Sequence, residues 1–235
     1  MFHNKGVTPY MTQDLLATAA VEDIATGMAV GLGTGRAATR AIRALAQRAA
    51  AERLTLRCVA TSQASHDLAR SLGLTVGSLE EIGRLDFLFD GADEVDPALR
   101  MIKGRGGAMT REKIVAHASA RRVYLIQSDK LASRLGEKAP LPIEAKASEL
   151  ASVRQSLRTI GLEGPVRLNA DGTPYQTDNG NPVIDAPLPA GLDIVQLGAS
   201  LDRLADVVGH GLFLTEANDV LIEDAEGKVS RRSRT

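Results

Sequence analysis

Between positions 89 and 113 the sequence reads FDGADEVDPALRMIKGRGGAMTREK, a short span that holds several carboxylates, a lysine, a glycine run and one further glutamate. Asp90 and Asp93 follow the apolar segment LDFLF, and Gly91 and Ala92 between them are small enough to leave room for a ligand. Two carboxylates brought together in a cleft repel each other, so one holds a proton near neutrality while the other stays ionised. Such a pair suits proton transfer among hydroxyls. Lys103 comes next, followed by Gly104, Arg105, Gly106 and Gly107, a loop in which backbone can lie close to a substrate. Glu112 sits about one turn into the following helix, on the side of Val115 and Ala116, where desolvation would raise its pKa and strengthen it as a base. Purely structural readings compete: an acidic turn including Glu94 and Asp96, and a solvated helical glutamate.

A second glycine-rich stretch, GLGTGRAATR at 31–40, ends an earlier apolar segment and opens a helix. Free N–H groups and the positive end of the helix dipole suit an anion there, with Thr34, Gly35, Arg36 and Ala37 as candidate phosphate contacts. The dinucleotide fingerprint is not met, because Arg36 stands where a glycine is needed and the next strand runs into Thr61 and Ser62 without an acidic residue. NAD is therefore disfavoured, and a ligand-free tight turn is the competing reading. In TSQAS, helix capping explains Thr61 or Ser62 as well as substrate contact does. No metal is expected, since His3, His66, His117 and His210 are never three or four apart and the acidic run lacks a recognisable ligand spacing.

These residues need a scaffold, and the pattern supplies one. From residue 13 to about 130, segments with helical periodicity (QDLLATAAVEDIA, RAATRAIRALAQRAAAERL, SQASHDLARSLG, AMTREKIVAHASA) alternate with short apolar strands (MAVGLG, LTLRCVA, LDFLFDGAD, RRVYLIQSD). That alternation predicts an α/β, doubly wound Rossmann-like parallel sheet with ligands at the carboxyl ends of its strands. Prolines at 140 and 142 and the turn-rich stretch NADGTPYQTDNGNPVIDAPLP mark a second, smaller α+β unit. The expected division is a catalytic domain of 1–137 plus 208–235 and a small domain of 138–207. GHGLFLTEANDVLIEDAEGKV reads as a loop, strand and turn returning to the first sheet, and SRRSRT as a frayed, solvated tail.

The chain has 235 residues, 44% of them hydrophobic, enough to bury a full core. With Lys+Arg 28 against Asp+Glu 29 there is no overall field to recruit nucleic acid or an anionic membrane. Cys58 is the one cysteine, which excludes a disulfide framework, and it reads as a small buried hydrophobe. The N-terminus MFHNKGVTPYMTQDLL has neither a basic lead nor a cleavage site, so a soluble cytoplasmic protein is expected.

Eight segments, GLGTG, TSQAS, FDGADEVDP, MIKGRGGAMTREK, SDK, PLPIEA, TDNGNPVID and GHGLF, occur in an order that resembles the ribose-5-phosphate isomerase A family over nearly the whole chain. The resemblance implies interconversion of ribose 5-phosphate and ribulose 5-phosphate with no metal or organic cofactor, by a homodimer or homotetramer. It implies that Glu112 is the proton-transferring base, Asp90 and Asp93 the substrate-binding acids, Lys103 the lysine beside the developing oxyanion, and Lys130 a phosphate-side lysine. Gly91, Ala92, Gly104, Arg105 and Gly106 would complete the substrate contacts. The chain departs from the family's pattern at its phosphate loop, where Thr-Gly-Ser-Thr becomes Thr34, Gly35, Arg36 and Ala37. It departs again at Arg105 within the glycine run, and in having no lysine between Lys5 and Lys103. Arg36 is expected to supply the missing cation. Specificity for a different sugar phosphate, altered by Arg36 and Arg105, or a non-catalytic sugar-phosphate-binding effector protein are the alternatives.

Overall fold

The computed structural model describes residues 14–234. The reading of the N-terminus, with His3, Lys5 and the first residue of the first expected helix, lies outside them. In chain order the elements are α1 (Leu15–Val21), β1 (Ala29–Leu32), α2 (Arg36–Glu52), β2 (Arg57–Ala60), α3 (Gln63–Ser71), α4 (Leu79–Ile82), β3 (Leu85–Gly91), β4 (Glu94–Val95) and β5 (Met101–Ile102). They continue with α5 (Met109–Ala118), β6 (Ser119–Gln127), β7 (Leu141–Ala145), α6 (Leu150–Thr159), β8 (Val183–Ala186), α7 (Ile194–Leu201), β9 (Val207–His210), β10 (Leu212–Phe213), β11 (Asp219–Glu223) and β12 (Val229–Ser233).

A 6-stranded sheet in the order β12-β11-β6-β3-β1-β2 forms the centre, parallel throughout except for the β11–β12 pair. Its side chains alternate by strand period, so each face meets a different layer. Val30, Leu32, Phe87, Phe89, Val123 and Leu125 pack with α1, α2 and α3 through residues such as Leu16, Ile42 and Leu45. Ala29, Leu88, Tyr124, Ile126, Val220 and Ile222 pack instead with Met109, Val115 and Ala116 of α5. Each fully buried aliphatic side chain contributes about 1.5–3 kcal/mol, so the two-sided burial explains why these strands read as near-continuous apolar runs.

The second unit has its own core of Ile143, Val153, Leu157, Ile184, Leu197 and Leu201 under a 3-stranded sheet in the order β8-β7-β9. Strand β9 spans the division expected at 207/208. A third small sheet, β10-β5-β4, lies beside the loop that follows β3.

Two local expectations are corrected. The helix expected to reach Ala120 ends at Ala118, because Ser119 turns extended and its hydroxyl donates back to the Val115 carbonyl at 2.7 Å. The SRRSRT tail is not frayed: its first residues form β12 against β11, and Arg234 donates to the carbonyls of Ala217 at 3.0 Å and Leu99 at 2.9 Å. Charge-assisted bonds to such carbonyls outweigh the solvation of a basic tail. Arg234→Ala is therefore expected to lower stability by about 1–3 kcal/mol, a fall of several degrees in Tm by thermal melting, whereas a solvated tail would leave Tm unchanged.

Candidate active site

The carboxyl ends of β1, β3 and β6 open into a cleft of about 610 Å³ lined by the glycine-rich loop of 34–37, the 91–93 turn, Lys103–Gly106, Glu112, Gln127 and Lys130. At its floor, Asp90, the last residue but one of β3, pairs in register with Tyr124 of β6, so both side chains face α5. Glu112 enters from the first turn of α5, and Lys103 enters from the segment after β5. Asp90, Lys103 and Glu112 are 0%, 2% and 4% exposed.

The Lys103 ammonium lies 3.0 Å from Asp90 Oδ2 and 3.3 Å from Glu112 Oε2, and it donates to the Gly91 carbonyl. Its ion contacts lie outside good hydrogen-bond geometry, and Asp90 Oδ2 and Glu112 Oε2 remain without hydrogen-bond donors. The rings of Tyr124 and Phe213, edge to face with centroids 6.5 Å apart, each lie 5.6 Å from the ammonium. Those negative ring faces favour the cation in a dry site.

Burial, then the nearby Asp90 charge, push the Glu112 carboxyl up to about 8 against the pull of Lys103. Burial also raises the Asp90 carboxyl above its ordinary range, with Lys103 again opposing. Burial by itself disfavours the Lys103 ammonium, but Asp90 and Glu112 outweigh it and the pKa is raised. The sequence pairs Asp90 with Asp93; the structure instead closes Asp90 and Glu112 around one cation. Asp93 sits at the cleft wall, where its Oδ2 accepts the Arg105 N–H at 2.8 Å. One shared ammonium between two buried carboxylates leaves one of them holding a proton, which is the condition for a group that both takes and returns protons.

Asp90 is fixed by the loops beside it. Its Oδ1 accepts the N–H groups of Thr34 at 3.0 Å and Gly91 at 2.7 Å. Gly33 lies so close that a Cβ there would stand 2.3 Å from Asp90 Oδ1 and 2.5 Å from its Cα, which explains the glycine by contact with backbone rather than by a ligand. The Thr34 hydroxyl turns inward to Thr61 at 2.7 Å and Ser62 at 2.8 Å, while Ser62 caps α3 by accepting the Ser65 N–H. The hydroxyls of TSQAS thus hold the loop instead of facing the cleft.

At the rim, Gly35 ends the loop without a side-chain cap for α2, and Arg36 and Ala37 begin the helix. Arg36 is exposed at the cleft and makes no ion pair among the described residues; Arg105 is likewise exposed. Lys130 lies 3.3 Å from Asp129. Gly91, Ala92, Gly104 and Gly106 line the wall. The glycine loop is gripped from the second unit: Arg167 donates to the carbonyls of Gly104 at 2.9 Å and Arg105 at 3.0 Å, and the Tyr175 hydroxyl donates to Gly106 at 3.0 Å. A Cβ on Gly107, whose φ is 75°, would meet that hydroxyl at 2.1 Å.

Sequence reasoning missed several of these residues. Arg40 lines the cleft while bound to Asp14 and Glu223, joining α1, α2 and β11. Glu94 and Asp96 form no exposed acidic turn: both are fully buried, Glu94 accepting the N–H groups of 137–139 and Asp96 pairing with Arg100 at 2.6 Å. Only the i,i+4 spacing of Asp96 and Arg100 signalled this. Cys58 is buried in β2, its thiol pushed up to about 12 by that burial. Among the described residues no group of three or more His, Cys, Asp or Glu could hold a metal ion, and no helix is long and apolar enough to cross a membrane.

The family model described as ribose 5-phosphate isomerase A (phosphoriboisomerase A) matches residues 57–227. A ribose-5-phosphate isomerase A of Roseiflexus sp. (strain RS-1) is 42% identical over 211 residues, covering 89% of this chain and 91% of the relative. That of Desulfatibacillum aliphaticivorans is 39% identical, covering 90% and 92%. Among solved structures, ribose 5-phosphate isomerase A from Methanocaldococcus jannaschii superposes with a TM-score of 0.87 at 35% identity, covering 93% of this chain and 96% of that one. A D-ribose-5-phosphate isomerase in complex with phospho-erythronic acid gives 0.88 at 32% identity, with the same coverage of 93% and 96%.

The raised Glu112 pKa fixes a stability effect. The folded chain holds this proton up to about 8 and the unfolded chain releases it near 4.5, so stability falls as pH rises through that window. Glu112→Gln is expected to raise Tm at pH values above that window, with the gain shrinking towards its lower end; a gain independent of pH would contradict the assignment.

Proposed function

The chain belongs to the ribose 5-phosphate isomerase A family, and from that premise we propose that it interconverts ribose 5-phosphate and ribulose 5-phosphate, with Glu112 as the proton-transferring base. The observation that carries the reading is the buried contact of Lys103 with both Asp90 and Glu112 at the floor of an open cleft. Glu112 removes the C2 proton of the open-chain aldose; the C–H electron pair becomes the C1=C2 bond and the carbonyl pair moves to O1. The resulting enediolate carries its charge at O1, beside the O2 hydroxyl, and the Lys103 ammonium neutralises it in a water-poor site. Glu112 then returns the proton to C1 as the C1=C2 pair forms the new C–H bond, the O2–H proton passes to O1 to make the C1 hydroxyl, and the O2 electron pair closes C2=O. Asp90 and Asp93 hold the sugar hydroxyls and assist ring opening.

The complex of a family member with phospho-erythronic acid supports this assignment, because a phosphorylated sugar acid presents a phosphate and a planar anionic end resembling an enediolate. For the phosphate, the uncapped N-terminus of α2 at Thr34, Gly35, Arg36 and Ala37 offers backbone N–H groups, and Arg36 offers a guanidinium exposed at the cleft that makes no ion pair among the described residues. Lys130 and Arg105 add positive charge to the same cleft. The family expectation of a cytoplasmic homodimer or homotetramer is carried with this reading.

Wild-type protein should convert ribose 5-phosphate in a coupled assay, and Glu112→Gln should lose about 10²–10⁴ of kcat. The acid limb of kcat/KM should lie above the ordinary carboxylate range, towards the value of about 8 set by burial. Full activity in Glu112→Gln would reject the base. Arg36→Ser should raise KM for ribose 5-phosphate by roughly tenfold, as expected for loss of a charge-assisted phosphate contact; an unchanged KM, or preference for another phosphorylated sugar, would assign Arg36 to specificity or to no role.

A further inference from the structure

Two of the motifs above, PLPIEA and TDNGNPVID, contribute nothing to the cleft lining, yet they meet at a fully buried carboxylate. Glu144 of β7 is 0% exposed, and all of its side-chain partners are neutral. Its Oε1 accepts from the Thr177 hydroxyl at 2.8 Å, Asn179 Nδ2 at 3.1 Å and Asn181 Nδ2 at 3.0 Å. Its Oε2 accepts from the Thr110 hydroxyl. Thr110 lies in the first turn of α5, two residues before Glu112. The site is closed behind it, since a Cβ on Gly209, the register partner of Glu144 in β9, would stand 2.3 Å from Thr110 Oγ1.

The same loop reaches α5 and α3 from outside. Arg111 donates to Asn179 Oδ1 at 2.9 Å and to the Asp178 carbonyl at 3.0 Å, and Asp178 Oδ2 accepts the Gln63 N–H at 2.8 Å. Thr110 and Arg111 are therefore both held by the second unit immediately before the residue that must reach the substrate. The helix itself gives this turn little help: Ala108 at its N-cap provides no side-chain acceptor. A carboxylate buried on neutral donors alone is costly unless every bond is made, so its geometry is stiff.

We propose that Glu144 is a positioning residue for the isomerisation: through Thr110 it fixes the first turn of α5 and so the placement of the Glu112 carboxyl. The inference rests on the reading of Glu112 as the base, but it also has a consequence that does not need turnover. The Glu112 N–H donates to the Ala108 carbonyl at 2.9 Å, so the order of this turn can be read from amide exchange.

The test uses the full chain. Thr110→Val removes one donor and leaves the other three donor residues of Glu144, Thr177, Asn179 and Asn181, in place. It is expected to lower kcat about tenfold or more with KM within about twofold, the pattern of a misplaced reacting group rather than lost binding. Hydrogen exchange at the Glu112 amide should quicken about tenfold or more. Thr110→Ser, which restores the hydroxyl, should recover most of both losses, and Glu144→Gln should shift both readouts in the direction of Thr110→Val. Unchanged kcat, unchanged exchange at Glu112, or a rise in KM alone would overturn the proposal. Failure of the wild type to convert ribose 5-phosphate would instead remove the assigned reaction, and amide exchange would still decide whether Glu144 orders the turn.

Discussion

Everything at the cleft floor depends on one buried ammonium. Lys103 is 2% exposed, and a cation so far from water persists only where carboxylates and carbonyls replace its hydration. Asp90, Glu112 and the Gly91 carbonyl do so; Asp90 and Gly91 end β3, and Glu112 comes from the first turn of α5. Removing the Asp90 carboxylate, 3.0 Å from the ammonium, would cost on the order of 3–5 kcal/mol, because the buried cation would lose its compensation. That requirement draws the elements together: Gly33 has no side chain so that its loop can lie on Asp90, and Tyr124 and Phe213 close the floor around the cation. The same electrostatics serve the chemistry. Two carboxylates that cannot both ionise comfortably give an acid and a base in one place, and in the proposed reaction the ammonium they share supplies the charge that an enediolate needs.

The second unit contributes no reacting group in this account. Its contribution is placement, through Arg167 and Tyr175 on the glycine loop and through Glu144 and the 177–181 loop on α5. A cleft built on flexible glycines and an uncapped first turn would otherwise wander by more than proton transfer tolerates. Division of labour between a sheet that carries charge and a smaller unit that braces it follows from these contacts.

Much of the scaffold was legible because its signals are local. Strand and helix periods differ, so the alternation up to residue 130 located the central elements, and segments in family order pointed to the reaction. What escaped depended on distance along the chain. Asp90 and Asp93 are neighbours in sequence, yet the carboxylate that shares the cation with Asp90 is Glu112, which register and helix packing bring in. Glu94 and Asp96 looked solvated because composition cannot show that backbone N–H groups from 137–139 and the Arg100 side chain would bury them. The basic tail looked loose because the carbonyls that anchor Arg234 belong to remote turns. Arg40 and Glu144 were silent for the same reason.

The central claim is that burial and a neighbouring carboxylate hold the Glu112 proton far above the usual carboxylate range. Carbon-13 NMR titration of carboxyl-labelled glutamates in the intact chain tests it most directly. The account predicts one glutamate resonance titrating towards 8, absent from Glu112→Gln, with its partner charge on Lys103 persisting throughout. If every glutamate in the folded protein titrates near 4.5, the ordinary value for that side chain, Glu112 is an unperturbed carboxylate and the claim is contradicted.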